Sequence, residues 1–168
     1  VESQYRVVLW AGRPRGDFND AMRIAVGNDH AAMEGPPPLF KPEIVRYLRE
    51  QGHTVVDCGT NSPESVDYPD LAQAVCATLL AGEADAGILM CGTGIGMSIA
   101  ANRNPGIRAA VCATPEMARL SREHNNANVL CFGKRILSLQ ESLKIIDVWL
   151  ATPFSEGERH VRRVCKMG

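Results

Sequence analysis

The sequence predicts an α/β protein, a three-layer αβα sandwich on a five-stranded parallel sheet with Rossmann-like architecture. Five short apolar runs alternate along the chain with segments of helical periodicity, which is the pattern of repeated βαβ units. Right-handed crossovers between such strands put helices on both faces of the sheet. A chain of 168 residues, 45% hydrophobic and 22% charged, also has the size and composition of one domain.

The predicted strands are apolar runs flanked by turn-forming residues, mainly glycine, asparagine and proline. They cover residues 23–27, 54–58, 87–91, 107–112 and 129–133. The third run is apolar throughout, which is typical of a strand buried on both faces of a sheet.

The predicted helices are marked by start signals and by apolar residues three and four positions apart. They cover residues 43–50, 70–82, 98–102, 117–124 and 141–150. The strongest start signal is Thr114 as N-cap with Pro115 at the first helical position. Residues 34–38 include three consecutive prolines and are predicted to form a loop, because proline cannot donate a backbone hydrogen bond.

Residues 1–21 are interpreted as an extension of unknown role, and residues 22–168 as the domain. The apolar run in the extension is too short for a secretory signal and is followed at once by glycine, proline and charged residues. A mobile leader, a translated upstream stretch and an organelle presequence are the alternatives. The acidic residues Glu2, Asp17 and Asp20 count against a presequence.

Charge and cysteine content argue against several classes of function. The formal net charge is −1 and aromatic residues are 5% of the chain, so no nucleic-acid or membrane partner is expected. No apolar run approaches the ~18 residues of a membrane span. The 6 cysteines include no Cys-x-x-Cys pair, which favours a reducing, cytoplasmic compartment without a disulfide framework or a metal site. The expected partner is a small molecule.

The stretch from residue 87 to residue 102 is predicted to carry the chemistry. It runs from the third strand through a glycine-rich loop into a helix. Glycines let backbone amides approach a ligand, and the helix start adds unpaired donors, so an anion site is expected. Cys91 lies at the carboxyl end of the strand, where open α/β sheets bind ligands, beside amides that favour its thiolate form. The alternative for Cys91 is an ordinary buried thiol.

Two common phosphate-binding motifs are excluded at this loop. The dinucleotide fingerprint, started at Gly92, requires glycine at the position of Met97. A P-loop requires Lys-Ser or Lys-Thr after its last glycine, and neither pair is present there.

Further candidate residues follow other predicted elements. Asp29 and His30 follow the first strand, where Asp29 could orient the imidazole; a hydrogen-bonded loop histidine is the alternative. His124 ends a predicted helix, whose negative end favours a protonated imidazole and suits a proton donor. Arg159 and Arg163 share one helical face and could grip a phosphate; a solvated basic tail is the alternative.

Five segments occur in the order and spacing of one protein family. They are Asp29-His30, Asp67-Tyr68-Pro69-Asp70 and residues 91–102, 121–128 and 159–163. On these segments the chain resembles ribose-5-phosphate isomerase B, the family that also includes the galactose-6-phosphate isomerase subunits. The resemblance covers residues 22–167.

The resemblance implies a sugar-phosphate isomerase, an intramolecular oxidoreductase of carbohydrate metabolism. The family interconverts ribose 5-phosphate and ribulose 5-phosphate, in the non-oxidative pentose phosphate pathway, through a cis-enediolate and without metal or organic cofactor. By resemblance Cys91 shuttles the carbon-bound proton, Thr93 and the amides of residues 92–96 stabilise the enediolate, and His124 opens the furanose ring. A related branch uses a glutamate at the position of Met97, so here the base is expected to be Cys91.

The resemblance also implies a substrate-binding set and an oligomer. The set is Asp29, His30, Tyr68, Gly92, Gly94, Ile95, Gly96, Asn125, Arg135, Arg159 and Arg163. The three arginines match the phosphate-binding arginines of the family. Because the family's active site lies between two subunits, a homodimer or a tetramer is expected in which Arg159 and Arg163 complete the partner's pocket.

Three alternatives stay open at this point. An isomerase of six-carbon sugar phosphates would differ only in the depth of its pocket. A regulatory module that binds sugar phosphates without chemistry would be damaged at Cys91 or His124, yet both residues are present. A dinucleotide-dependent oxidoreductase is disfavoured by the missing glycine fingerprint.

Residues 31–38 form a longer connection than is usual in the family, beside the predicted site.

Overall fold

The structure is a computed structural model that describes residues 21–168. The predicted N-terminal extension, residues 1–21, lies outside the described residues except for Ala21. Five parallel strands form one sheet: β1 Arg23–Asn28, β2 Thr54–Asp57, β3 Ala86–Cys91, β4 Ala109–Val111 and β5 Val129–Gly133. Their order is β2-β1-β3-β5-β4, so β3 is the central strand. The predicted five-stranded parallel sheet is confirmed.

Helices connect successive strands and follow the last one. They are α1 Phe40–Glu50, α2 Tyr68–Leu80, α3 Ile95–Ala101, α4 Pro115–Asn125, α5 Leu139–Ala151 and α6 Glu158–Met167, with a short 3-10 helix at His30–Met33. None of the helices within residues 21–168 has the length and apolar character needed to cross a membrane. The sequence analysis did not predict the 3-10 helix.

Most predicted boundaries differ from the structure by one to three residues, and two of these differences bear on the site and the sheet edge. Helix α3 starts at Ile95 rather than at residue 98, because Gly94 already makes the left-handed turn that ends the loop. Strand β4 is shorter than predicted. On its outer side the amide side chain of Asn102 exchanges two hydrogen bonds with the backbone of Ala109, at 2.8 and 2.9 Å. A side chain thus satisfies this edge of the sheet in place of another strand.

Two apolar layers cover the faces of the sheet. Alternate residues of β3 point to opposite faces, as the two-residue repeat of a strand requires. Ile88 and Met90 pack in the layer under α1, α4 and α5, whereas Leu89 and Cys91 pack in the layer under α2 and α3. Cys91 therefore packs in the apolar layer under α2 and α3 and is also the last residue of the strand.

The strand order creates a switch point between β1 and β3. From β1 the chain moves outward to β2, and it then crosses back to β3 and continues toward the opposite edge. The connections that leave the carboxyl ends of β1 and β3 therefore diverge to opposite sides, which leaves a crevice above them. Asp29 follows β1 and Cys91 ends β3, so both lie at this crevice.

The loop between β3 and α3 lies directly against β5. Gly94 caps α3 with a φ of +83°, and a Cβ atom there would lie 2.9 Å from backbone atoms of Phe132. A Cβ on Gly133 would lie 2.4 Å from Cα of Thr93. Only glycine at both positions permits this close approach of two backbones.

The packing of Gly94 predicts an unequal cost for two glycine substitutions. Gly52 has a φ of +88° with nothing within 4 Å of a Cβ, so Gly52→Ala should cost only the left-handed strain, about 1–2 kcal/mol. Gly94→Ala adds a backbone clash, which should cost a further ~1–3 kcal/mol. Urea unfolding of the two variants measures the difference. Equal losses of stability would contradict the close packing of loop and strand.

Candidate active site

Cys91 is the last residue of the central strand and is 5% exposed. The backbone amide of Gly94 donates a hydrogen bond to its Sγ at 3.0 Å. The loop therefore folds over the sulfur and directs a donor at it. A donor in this position stabilises negative charge on sulfur, which a thiolate base requires.

The other buried cysteines differ from Cys91 in their surroundings. Burial raises the pKa of Cys76 and that of Cys112 to about 11. Burial also raises the pKa of Cys131 well above its ordinary value. These three thiols stay protonated in the core. All six cysteines are free, and no group of three or more His, Cys, Asp or Glu side chains within residues 21–168 could hold a metal ion.

The loop after Cys91 is partly satisfied by its own groups. The amide of Ile95 donates to Oγ1 of Thr93 at 3.3 Å, so this amide and that of Gly94 are engaged within the loop. The Thr93 hydroxyl accepts this bond and keeps its own hydrogen for a ligand. The ring of Tyr68 lies on Gly96, where a Cβ would come within 2.6 Å of it. Met97 is fully buried in the core.

Asp29 and His30 are held separately at the carboxyl end of β1. The Asp29 carboxylate accepts from the Ala31 amide at 2.9 Å and caps the 3-10 helix, and burial raises its pKa. His30 Nδ1 accepts from the Val66 amide at 3.3 Å. The suggestion that Asp29 orients His30 is therefore wrong: the Val66 amide bonds to the imidazole, and the Asp29 carboxylate caps the 3-10 helix through Oδ1.

Arg135 follows β5 and reaches the same crevice. Its backbone amide donates to the Gly92 carbonyl at 3.0 Å, and its guanidinium lies beside Gly92, 3.2 Å from where a Cβ would be. Its Nη2 is 3.3 Å from each carboxylate oxygen of Glu34.

We call the residues gathered here the carboxyl-edge group. They are Asp29, His30, Tyr68, Cys91, Gly92, Thr93, Gly94, Ile95, Gly96 and Arg135. They share the edge of the sheet at which the parallel strands end.

The remaining predicted site residues lie elsewhere in the chain. Helix α4 ends at Asn125, just before β5 begins at Val129, and Val129 pairs with Gly87 at the start of β3. Strand β5 is five residues long, so at about 3.3 Å per residue its ends are roughly 13 Å apart. His124 and Asn125 therefore lie at the edge of the sheet opposite Cys91.

Helix α6 brings His160 against His124 and carries Arg159 and Arg163 on either side of His160 in the sequence. The rings of His124 and His160 are 4.3 Å apart, centroid to centroid, and Arg159 Nε donates to His160 Nε2 at 3.1 Å. Neither Arg159 nor Arg163 forms an ion pair with another of residues 21–168. We call His124, Asn125, Arg159 and Arg163 the amino-edge group. Its two arginines, which have no ion pair within the described part of the chain, place positive charge at the edge opposite the crevice.

His160 was missed as a site residue by sequence analysis. Because its Nε2 accepts from Arg159, its Nδ1 carries the proton and donates to Ser155 Oγ at 2.8 Å. Burial lowers its pKa, and the positive charges of His124, Arg159 and Arg163 lower it further. A neutral imidazole thus holds Arg159 and contacts His124. Its position next to Arg159 in the sequence was the available signal.

Glu34 was missed as well. It comes four residues after His30, and its Oε1 is 3.9 Å from His30 Nε2 in addition to its contact with Arg135. The spacing from His30 was visible in the sequence, but Arg135 is 101 residues away.

Comparison with known proteins finds relatives across nearly all of the described chain. A family model described as Ribose/Galactose Isomerase matches residues 24–167. Ribose-5-phosphate isomerase B of Escherichia coli strain K12 is 49% identical over 142 residues, which cover 84% of this chain and 91% of that protein.

Solved structures are equally similar. Ribose-5-phosphate isomerase B of Clostridium thermocellum has a TM-score of 0.82 and 49% identity, over 88% of this chain and 95% of that one. A ribose 5-phosphate isomerase of Thermotoga maritima has a TM-score of 0.81 and 51% identity, over 87% of this chain and 97% of that one. The resemblance drawn from the sequence motifs is thereby confirmed. The chain belongs to the ribose/galactose isomerase family and is an isomerase.

Proposed function

We propose that this protein interconverts D-ribose 5-phosphate and D-ribulose 5-phosphate, the isomerisation of the non-oxidative pentose phosphate pathway, in the cytoplasm. The observation that carries the proposal is Cys91 at the carboxyl end of the central strand, with the Gly94 amide directed at its sulfur. The 49% identity to the Escherichia coli protein named Ribose-5-phosphate isomerase B supports the choice of substrate. The six free cysteines favour a reducing compartment.

Cys91 acts as the base that moves the proton between the two carbons. Its thiolate removes the proton from C2 of the open-chain aldose, and the electron pair passes through a cis-enediolate to the oxygen on C1. The thiol then returns the proton to C1, while the oxygen on C2 becomes the ketone and its hydroxyl proton passes to the oxygen on C1. The Thr93 hydroxyl stabilises the enediolate, because its hydrogen is free to donate.

The amino-edge group supplies the remaining steps from a second copy of the chain. Opening the furanose ring needs a group that can donate and accept protons. His124, whose ring contacts His160 next to Arg159, serves as this group. Within one chain, His124 and Cys91 lie at opposite ends of the strands. A symmetric dimer in which the carboxyl edge of each chain faces the amino edge of the other would complete two sites. The exposed apolar side chains Leu80, Ile95 and Ile99, each at least 55% exposed, support such an interface.

A six-carbon sugar phosphate is the second candidate substrate. The family model covers both ribose and galactose isomerases. The two reactions use the same base and the same kind of enediolate. A hexose phosphate needs a pocket with room for one additional carbon.

The substrate assignment predicts a ranking of three aldose phosphates. Purified protein is incubated separately with ribose 5-phosphate, allose 6-phosphate and galactose 6-phosphate, and the ketose is followed. Ribose 5-phosphate should turn over fastest. Faster turnover of a hexose phosphate would leave the proposed mechanism in place but overturn the assignment of ribose 5-phosphate as the substrate. Binding without turnover of any of them would make the chain a binding module.

Substitution of the base should remove turnover but not binding. Cys91→Ala is expected to lower kcat at least about a hundredfold, since a positioned general base contributes roughly 10²- to 10⁴-fold. Cys58→Ala is the matched control, because Cys58 is half-buried and its sulfur bonds to Val56 and Thr78, away from the proposed site. Activity of Cys91→Ala near that of the control would rule out Cys91 as the base.

Arg159 should affect substrate binding more than turnover. The phosphate is present in substrate, transition state and product, so Arg159→Ala should raise KM by about tenfold and leave kcat nearly unchanged. Arg46→Ala is the control, because Arg46 is exposed on α1 and pairs with Glu43 and Glu50. An unchanged KM in Arg159→Ala would count against a phosphate clamp at this position.

A site shared between subunits predicts complementation. Cys91→Ala and His124→Ala should each be inactive as homodimers. After subunit exchange, random pairing makes half of the dimers mixed, and each mixed dimer has one intact site, so about a quarter of the wild-type activity should return. Activity is measured before and after mixing. If none returns although mixed dimers form, Cys91 and His124 act in the same subunit.

A further inference from the structure

Glu34 places a negative charge at the cationic centre of the carboxyl-edge group. Both of its carboxylate oxygens are 3.3 Å from Nη2 of Arg135. One of them is also 3.9 Å from Nε2 of His30. Arg135 and His30 are the two groups of this edge best suited to hold an anionic ligand, and a carboxylate of the chain already contacts both.

The connection that carries Glu34 is stiff. The Glu34 amide donates to the Ala31 carbonyl at 3.2 Å and closes the 3-10 helix. Gly35 turns the chain with a φ of +94°, and three prolines with restricted φ angles follow before α1. The 3-10 helix before Glu34 and the prolines after Gly35 limit the backbone positions that place this carboxylate beside Arg135.

Arg135 is equally tied to the reacting loop. Its amide bonds to the Gly92 carbonyl, and the amide of Lys134 donates to the Cys91 carbonyl at 2.9 Å. The Arg135 backbone is therefore anchored to Gly92, one residue from the proposed base, and its guanidinium lies beside that glycine. An anion that binds this guanidinium enters the space beside the Glu34 carboxylate.

A carboxylate and a phosphate use a guanidinium in the same way, through charge-assisted hydrogen bonds. The two anions also repel each other at contact distance. The side chains of Arg135 and Glu34 are 59% and 34% exposed, and an ion pair of this exposure is worth only about 0.2–1 kcal/mol. The contact is therefore weak enough for a ligand to displace and strong enough to reduce its affinity.

We propose that Glu34 is an internal competitor for the ligand phosphate at Arg135, and thereby sets the affinity of the site for sugar phosphates. The inference rests on the proposed function, with Arg135 as the phosphate ligand that the family resemblance implies. Aldose and ketose carry the same phosphate, so the competition weakens both equally. A uniform weakening raises KM and does not slow the chemical step. It also speeds the release of product.

Removal of the charge on Glu34 should strengthen phosphate binding. Glu34→Gln keeps the size of the side chain, and titration calorimetry with inorganic phosphate should show a dissociation constant about two- to fivefold lower than that of the wild type. KM for ribose 5-phosphate should fall by a similar factor without a rise in kcat. Glu50→Gln is the matched control, because Glu50 is exposed and pairs with Arg46 on the surface of α1. It makes the same change in net charge and should leave the dissociation constant unchanged.

The same substitution made in an Arg135→Met variant tests whether the effect of Glu34→Gln on phosphate binding depends on Arg135. In Arg135→Met, phosphate should bind more weakly, and the gain from Glu34→Gln should become smaller, because the competing contact no longer exists. An equal gain in both backgrounds would indicate general repulsion and overturn the proposal. Weaker binding in Glu34→Gln would overturn it too, since Glu34 would then be a ligand or a support for Arg135.

The proposal and the proposed function can fail separately. Absence of phosphate binding to the wild type, or an equal gain in Glu50→Gln, would overturn the competition at Arg135. If the dissociation constants for phosphate change as expected but no sugar phosphate is turned over, the isomerase assignment is overturned and the competition at Arg135 is supported.

Discussion

The site depends on the close approach of two backbones at the centre of the sheet. The loop after β3 lies on the end of β5 because Gly94 and Gly133 have no Cβ atoms to keep them apart. This contact brings the Gly94 amide to the Cys91 sulfur and puts Arg135 beside Gly92. The thiol, the loop and the backbone of Arg135 are therefore positioned together by this packing constraint. The apolar layer under α2 and α3 fixes the same strand from the other side.

The direction of the strands divides the candidate site residues into two groups. In a parallel sheet all carboxyl ends lie at one edge, so residues that follow strands collect there, whereas residues that end the connecting helices collect at the opposite edge. Cys91 belongs to the first group and His124 to the second. The proposed reaction needs both, and a pair of chains that joins opposite edges is the simplest arrangement that supplies them.

The two groups also balance their charges differently. At the carboxyl edge, Glu34 pairs with Arg135, so the charge of this guanidinium is compensated within the chain. At the amino edge, Arg159 and Arg163 have no ion pair within residues 21–168, and the pKa of His160 is lowered by burial and by its positive neighbours. An anionic substrate bound between the carboxyl edge of one chain and the amino edge of another would neutralise Arg159 and Arg163. It would also displace Glu34 from Arg135.

Sequence by itself determined the α/β class, the five strands, the place of Cys91 at a strand end and the family, because each depends on local patterns or on motifs with fixed spacing. It did not determine that α3 starts at Ile95, that Val66 rather than Asp29 orients His30, or that Glu34 contacts Arg135. Tertiary structure decided these features. Each joins groups that are distant in the chain or compete for one partner, and such contacts form only when the sheet brings the ends of its strands together.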